Sequence, residues 1–303
     1  MSHNKVLFLF LDGFGLAPPS DQNPMSVFNV LGNVIGKPLT SEAVIALPDM
    51  VVKGLDATLG VPGIPQSATG QTALFTGVNA AKVCGGHIPA FPPPELQSII
   101  KAESLFKKAK DSGLTATFAN CYRDKYFELV KAGKREHSVT TLSVMAADLA
   151  LRTIADYHAE SAIFCDITGE HVVFPSVERP APITAAQAGK RICGLCQSFD
   201  LVVFETFLPD IVGHKRDWEK AKRFGEVLNG FVETILSGCG SQTTIVMTSD
   251  HGNFEDFTTG SHTKNPAVLC AFGPGSGFFK ELSSIDQIPQ TIVQLLLRSR
   301  SLE

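Results

Sequence analysis

Apolar residues along the chain recur with two periods. Short β-rich runs at Val6 to Leu11, Leu114 to Ala119, Ala162 to Ile167, Leu201 to Phe207, Thr243 to Thr248 and Ala267 to Phe272 read as strands. Between them, Leu96 to Ser112, Thr141 to Tyr157, Thr184 to Phe199, Asp217 to Leu236 and Ser284 to Leu297 carry apolar residues near helical spacing, several behind a Thr, Ser or Asp suited to an N-cap. This βα alternation predicts an α/β fold with a doubly wound, mostly parallel sheet and helices on both faces, in which sites form beyond the carboxyl ends of the strands. Two stretches break the rhythm. Residues 13 to 65, rich in Gly and Pro, read as long loops with a short helix near Met25 to Leu31. The polar segment from Cys121 to Ser143 reads as a small substrate-side insertion in an otherwise single domain spanning 1–303.

Composition narrows the class. With 303 residues, 44% hydrophobic and 18% charged, the chain is long enough to bury a full core. A net charge of -4 argues against nucleic-acid or anionic-membrane partners and favours small molecules. The seven cysteines are odd in number and lie mostly in apolar runs, which predicts reduced, buried thiols and a cytoplasmic location. Cys193 and Cys196 have redox or metal spacing, but their helical context and the absence of a second pair make them packing residues. No run approaches the ~20 apolar residues of a membrane helix. The sequence leaves oligomeric state open.

Chemistry concentrates where strands end. Val6 to Leu11 runs into Asp12-Gly13, Val203 to Glu205 precedes Asp210 and His214, and Ile245 to Ser249 runs into Asp250-His251-Gly252. His262 follows on the next loop, which makes three carboxylates and three imidazoles, a donor set for Zn²⁺ or Mn²⁺. Asp210 and His214 stand one helical turn apart and can address the same ion. Asp250 and His251 need a bent backbone, and Gly252 is read as supplying that freedom. Ser67 lies where a Gly/Pro loop flows into a helical pattern. A helix N-terminus with free amides favours an alkoxide and a phosphate oxygen, and a divalent cation can activate the hydroxyl, so Ser67 is the candidate nucleophile.

These motifs, in this order, resemble the cofactor-independent phosphoglycerate mutases and phosphopentomutases of the alkaline phosphatase superfamily. Asp12-Gly13, Ser67, Asp210 with Gly213-His214, Asp250-His251-Gly252-Asn253 and His262-Thr263-Lys264-Asn265-Pro266 carry the likeness. It implies two divalent cations per chain, one on Asp210, His214 and His262 and the other on Asp12, Ser67, Asp250 and His251. It also implies phosphoryl transfer through phosphoserine on a small phosphorylated substrate. Gln71 departs from the pattern, since both mutase groups have histidine there. Only about 120 residues separate Thr76 from Leu201, too few for the mutases' large second domain. A small or absent cap favours a phosphatase or phosphodiesterase, with a phosphomutase as the alternative and a non-catalytic metal-binding protein as the alternative of another class.

Across residues 101 to 136 there are nine Lys or Arg against five Asp or Glu. This patch reads either as a solvated helical face or as a surface from which Arg123, Lys125 or Arg135 reaches a phosphate. His87 and His137, in loops beside the expected cleft, read first as solvated histidines and second as substrate contacts, and Lys264 is a candidate for holding the transferred phosphoryl group.

Overall fold

The computed structural model describes residues 4–171 and 180–298. Nine strands are present among the described residues: β1 (Lys5–Leu11), β2 (Ile45–Ala46), β3 (Met50–Leu55), β4 (Ala116–Phe118), β5 (Cys121–Tyr122), β6 (Arg152–Thr153), β7 (Leu201–Thr206), β8 (Thr243–Thr248) and β9 (Ala267–Phe272). Seven form one sheet in the order β2-β3-β9-β8-β1-β7-β4, and β5 and β6 pair separately. In the main sheet β4, β7, β1 and β8 run parallel, β9 runs against them, and β3, antiparallel to β9, regains the common direction.

Register explains why the catalytic candidates meet. β1 lies between β7 and β8, with Leu11 opposite Thr206 and Phe10 opposite Thr248. The three chains therefore leave the sheet on one edge, carrying Asp12, Asp210 and Asp250. Along β1, Leu7, Leu9 and Leu11 enter one core and Val6, Phe8 and Phe10 the other, the period-2 alternation of a sheet buried on both faces. Helices Ala185–Ser198 and Trp218–Gly238 cover the first face through Ile192, Phe224, Leu228 and Phe231. Helices Ser67–Thr76, Leu105–Asp111 and Ile288–Arg298 cover the second through Phe75, Phe106 and Ile292. The Phe75 ring packs 5.6 Å from both Phe8 and Phe10.

Several expectations need correction. The 13–65 stretch holds strand β3 as well as loops; Lys53 and Gly54 interrupt its apolar pattern, and Lys53 snorkels to the Lys280 carbonyl at 2.9 Å. Ala162 to Ile167 forms no strand, having one isolated bridge from Ile163 to Asn120 and a left-handed Ile167. Leu96 to Ser112 is two helices, divided at Ser104, whose hydroxyl caps the second and donates to the Ser143 carbonyl. Thr141 to Tyr157 is likewise divided, with Asp148 left-handed between helices Val139–Met145 and Ile154–His158. Within residues 121–143, helix Asp124–Lys131 buries no residue, whereas Val139 enters the core. The cysteines are not all reduced: Cys193 and Cys239 are disulfide-bonded where helices Ala185–Ser198 and Trp218–Gly238 pack, and the Cys165 thiol is exposed. Cys196 is buried and free. Among the described residues no helix is long and apolar enough to cross a membrane.

Candidate metal centre and nucleophile

Asp12, Asp210, Asp250, His214, His251, His262 and Ser67 converge. His214 lies one turn after Asp210 in helix Leu208–Lys215, and its Nε2 stands 3.3 Å from an Asp210 carboxylate oxygen. His262 Nε2 is 3.4 Å from the other Asp210 oxygen and 3.2 Å from His214 Nε2. His251 Nε2 stands 3.3 Å from Asp12, 3.4 Å from Asp250 and 3.2 Å from Ser67 Oγ. The His251 and His262 rings stack at 3.7 Å, which joins the two halves. Two ligand-competent groups result, Asp210 with His251 and His262, and Asp12 with Asp250 and His251. His251 thus reaches both. The His214 side chain is 43% exposed while His251 and Asp250 are fully buried, so one half opens to solvent and the other lies deep.

The backbone around the cluster is fitted to close approach. Gly13 is left-handed, and a Cβ there would sit 2.8 Å from Asp210. At Gly70 a Cβ would meet the Asp250 carbonyl at 2.8 Å, so helix Ser67–Thr76 can lie against the end of β8 only without a side chain at that position. Gly252 serves differently from the sequence expectation: its φ is not left-handed, and what it provides is room for Glu255 and Thr263. Ser67 does begin a helix, but the Ala68 and Thr69 amides are taken by the Ile88 carbonyl, so the free donors expected there reduce to the Ser67 amide among the described residues.

Electrostatics test whether this donor set fits a cation. Burial, then the Asp250 and Asp210 carboxylates, push the Asp12 carboxyl well above its usual range. Burial also raises Asp210, but hydrogen bonding from His262 and Asn253 outweighs it and holds the carboxyl at about 2. Burial lowers His251 despite Asp250 beside it, which leaves a neutral imidazole, the form that binds metal. His262 loses by burial and gains more from Asp210, so its pKa is raised. Asp12 Oδ1, Asp250 Oδ2 and His251 Nδ1 are buried without hydrogen-bond partners. Crowded carboxylates with orphaned oxygens are what a divalent cation stabilises, and nitrogen with oxygen donors suits a transition ion. The residues fit. His214 Nδ1 on the Gly260 carbonyl at 2.8 Å, and His262 Nδ1 on that of Pro65 at 3.0 Å, direct both Nε2 atoms inward.

Two buried acids escaped the sequence reading. Glu255 accepts hydrogen bonds from the Gly15 and Asn253 amides at 3.0 and 2.8 Å, the Thr263 hydroxyl, and Asn265 Nδ2 at 3.0 Å. It binds the Asp-His-Gly-Asn and His-Thr-x-Asn-Pro loops together, and its place two residues after Asn253 was the available signal. Asn253 in turn donates to Asp210 at 2.7 Å. Glu205 is buried in β7 with Oε2 unpartnered, and burial pushes its carboxyl up to about 8. An acid inside an otherwise apolar strand was its signal. Gln71, where the mutases have histidine, donates to Asp12 at 3.3 Å.

A cavity of about 610 Å³ opens beside Ser67 and Asp12, and its walls include Tyr122, Arg123, Lys125, Tyr126, Arg135 and Glu205. Arg123 and Arg135 therefore line it. His137, His87 and Lys264 do not: His137 Nδ1 pairs with the Tyr126 hydroxyl at 2.6 Å, His87 Nε2 with the Val61 carbonyl at 3.2 Å, and Lys264 is exposed.

A helix-covered, mostly parallel sheet with an Asp/His cluster and a serine at its strand ends is an alkaline-phosphatase-like fold with a candidate metal centre. The chain belongs to the metalloenzyme superfamily, whose family model matches residues 4–299. Among curated proteins, the 2,3-bisphosphoglycerate-independent phosphoglycerate mutase of Clostridium botulinum is 31% identical over 106 residues, which are 32% of this chain and 21% of the mutase. The match therefore spans about a fifth of that relative. Among solved structures, alkaline phosphatase from the Antarctic bacterium TAB5 is similar at a TM-score of 0.53 and 13% identity, over 98% of this chain and 99% of that one. Phosphoglycerate mutase from Leishmania mexicana gives 0.50 and 10%, over 98% and 96%. At such identities these two support the fold alone.

Proposed function

We propose that the protein is a metal-dependent phosphohydrolase, a phosphatase or phosphodiesterase, that acts on a small phosphorylated metabolite through phosphoserine at residue 67. The observation that carries this reading is the Ser67 hydroxyl, 3.2 Å from His251 and inside a cluster of orphaned carboxylate oxygens. Asp210, His214 and His262 would hold one divalent cation, Mn²⁺ or Zn²⁺, and Asp12, Ser67, Asp250 and His251 a second, with His251 in reach of both groups. Bound there, the cations lower the hydroxyl pKa and neutralise phosphoryl charge.

The residues do the rest. Ser67 Oγ gives its proton to solvent and attacks phosphorus in line, and the bond to the leaving oxygen breaks. The departing alkoxide takes a proton from solvent. Water then attacks phosphoserine from the vacated side, Ser67 leaves with a proton from that water, and the product is inorganic phosphate from a monoester or a phosphomonoester from a diester. Gln71 holds Asp12, and Asn253 holds Asp210, so neither carboxylate swings as charge moves.

Turnover of para-nitrophenyl phosphate with added Mn²⁺ or Zn²⁺, lost in Ser67→Ala, is the expected result. Metal binding without turnover of any monoester, diester or phosphonate would instead favour a binding protein. A phosphomutase is the second reading, favoured by the mutase relatives over a third of the chain. It predicts that phosphoserine passes to a hydroxyl of a second substrate faster than to water. A cytoplasmic location and the absence of nucleic-acid or membrane partners belong to the same proposal.

A further inference from the structure

We propose that the leaving group of the substrate carries an apolar body, aliphatic or aromatic, which Phe91 and Ile211 hold in the Ser67 cavity; this rests on the phosphoryl-transfer reading above. The cavity of about 610 Å³ lies within the ~300–1,000 Å³ of pockets that enclose a whole organic ligand, far more than a phosphoryl group fills. Helix Leu208–Lys215 links the metal centre to that space. Asp210 and His214 stand four residues apart on one strip of it, while Phe207, at its N-cap, and Ile211 stand four apart on the next strip and line the cavity. An ester with its phosphorus at the Asp/His cluster and its leaving group in the cavity therefore lies beside Phe207 and Ile211.

Phe91 reaches the same cavity from another part of the chain. The loop Pro89-Ala90-Phe91-Pro92-Pro93-Pro94 that carries it is stiff, since Ala90 is left-handed at φ 58°, three prolines follow, and Pro92 is buried. Stiff backbone thus keeps the Phe91 ring 43% exposed, and Ile211 is 47% exposed. Ordered apolar side chains left in water on the wall of a cavity mark the contact surface of a ligand. Leu129 and Leu208, both half-buried, add to that lining. Several polar groups of the same walls are turned to neighbours instead. Lys125 pairs with Glu128 at 3.0 Å, the Tyr122 hydroxyl with Thr141 at 2.7 Å and the Tyr126 hydroxyl with His137 at 2.6 Å, while the Arg135 guanidinium lies over the Tyr126 ring, 5.3 Å from its centroid.

Ethyl, 2-cyclohexylethyl and 2-phenylethyl phosphate test the proposal, because all three release primary alcohols of similar acidity. The wild-type protein with added Mn²⁺ is expected to show kcat/KM about tenfold or more higher for at least one of the larger esters than for ethyl phosphate, mainly through KM. Whichever is preferred tells an aliphatic body from an aromatic one. Phe91→Ser with Ile211→Ser should erase that ratio and Phe91→Leu with Ile211→Leu should keep most of it, with circular dichroism and metal content confirming intact protein. Phe91→Ser alone, outside the metal-bearing helix, should lower the ratio several-fold. Equal kcat/KM for the three esters, an advantage that survives the double serine variant, or a sedimenting dimer that this variant dissolves, overturns the inference. If para-nitrophenyl phosphate is still turned over, only the apolar site is lost. If neither it nor any ester is turned over, the phosphoryl-transfer reading fails, and calorimetry with ethylphosphonate and 2-phenylethylphosphonate decides the apolar site separately: equal affinity overturns it, and binding of the larger one about tenfold tighter or more retains it.

Discussion

At the strand ends backbone register brings Asp12, Asp210 and Asp250 together, and the His214 and His262 imidazoles are aimed by carbonyls from distant loops. The segment that carries helix Asp124–Lys131 has another construction: the helix buries none of its residues, and its Tyr126 and Phe127 rings pack on Tyr122. Rigid donors suit chemistry that tolerates little displacement, while a lightly packed segment suits selection among leaving groups and can change without disturbing the sheet. Substitutions in the first region should therefore act on kcat, and in the second on KM.

The sharpest break of that contrast is Ser67→Ala, expected to lower kcat on the order of 10³-fold or more with fold and metal content retained, read by steady-state assay and metal analysis. Next comes Phe75→Ala, which empties the space between Phe8 and Phe10 and should cost ~3–5 kcal/mol in denaturant unfolding. Glu255→Gln touches no metal donor directly, yet should reduce metal affinity or activity about 10–100-fold, because it loosens both ligand loops. Glu205 sharpens the comparison through pH. Its folded pKa of about 8 lies above the ordinary 4.5, so the native state binds the extra proton and that contribution to stability is lost as pH rises between those values. In metal-free protein Glu205→Gln should make the fall between pH 5 and 8 shallower by roughly 1.4 kcal/mol per pH unit. Smallest is Tyr126→Phe, which removes the hydrogen bond to His137 and should raise KM a few-fold with kcat unchanged. An equal effect on kcat would erase the distinction between this segment and the centre.

The sheet's central strands and the whole Asp/His cluster were legible because apolar runs ending in Asp or Asp-His carry both structure and chemistry in adjacent residues. Asp210 and His214 were readable from spacing alone, since one helical turn fixes their relation. Strand β3 was not, because an edge-side position tolerates Lys53 and Gly54. Glu255 was invisible because its work lies in four contacts made after folding, to residues from 15 to 265. The Cys193 to Cys239 pairing was equally beyond reach, because it depends on how two helices meet rather than on the spacing to Cys196. The 121–143 segment was legible only as excess charge, and the Tyr126 ring under Arg135 emerges from tertiary contact.

The proposed reaction depends on cations between the Ser67 hydroxyl and the buried imidazoles. Crystals grown with Mn²⁺ or Zn²⁺ and recorded at the metal's absorption edge should show two anomalous peaks per chain, one among Asp210, His214 and His262 and one among Asp12, Ser67, Asp250 and His251. A chain that binds no ion there, or binds it with Ser67 outside ligand distance, contradicts the account.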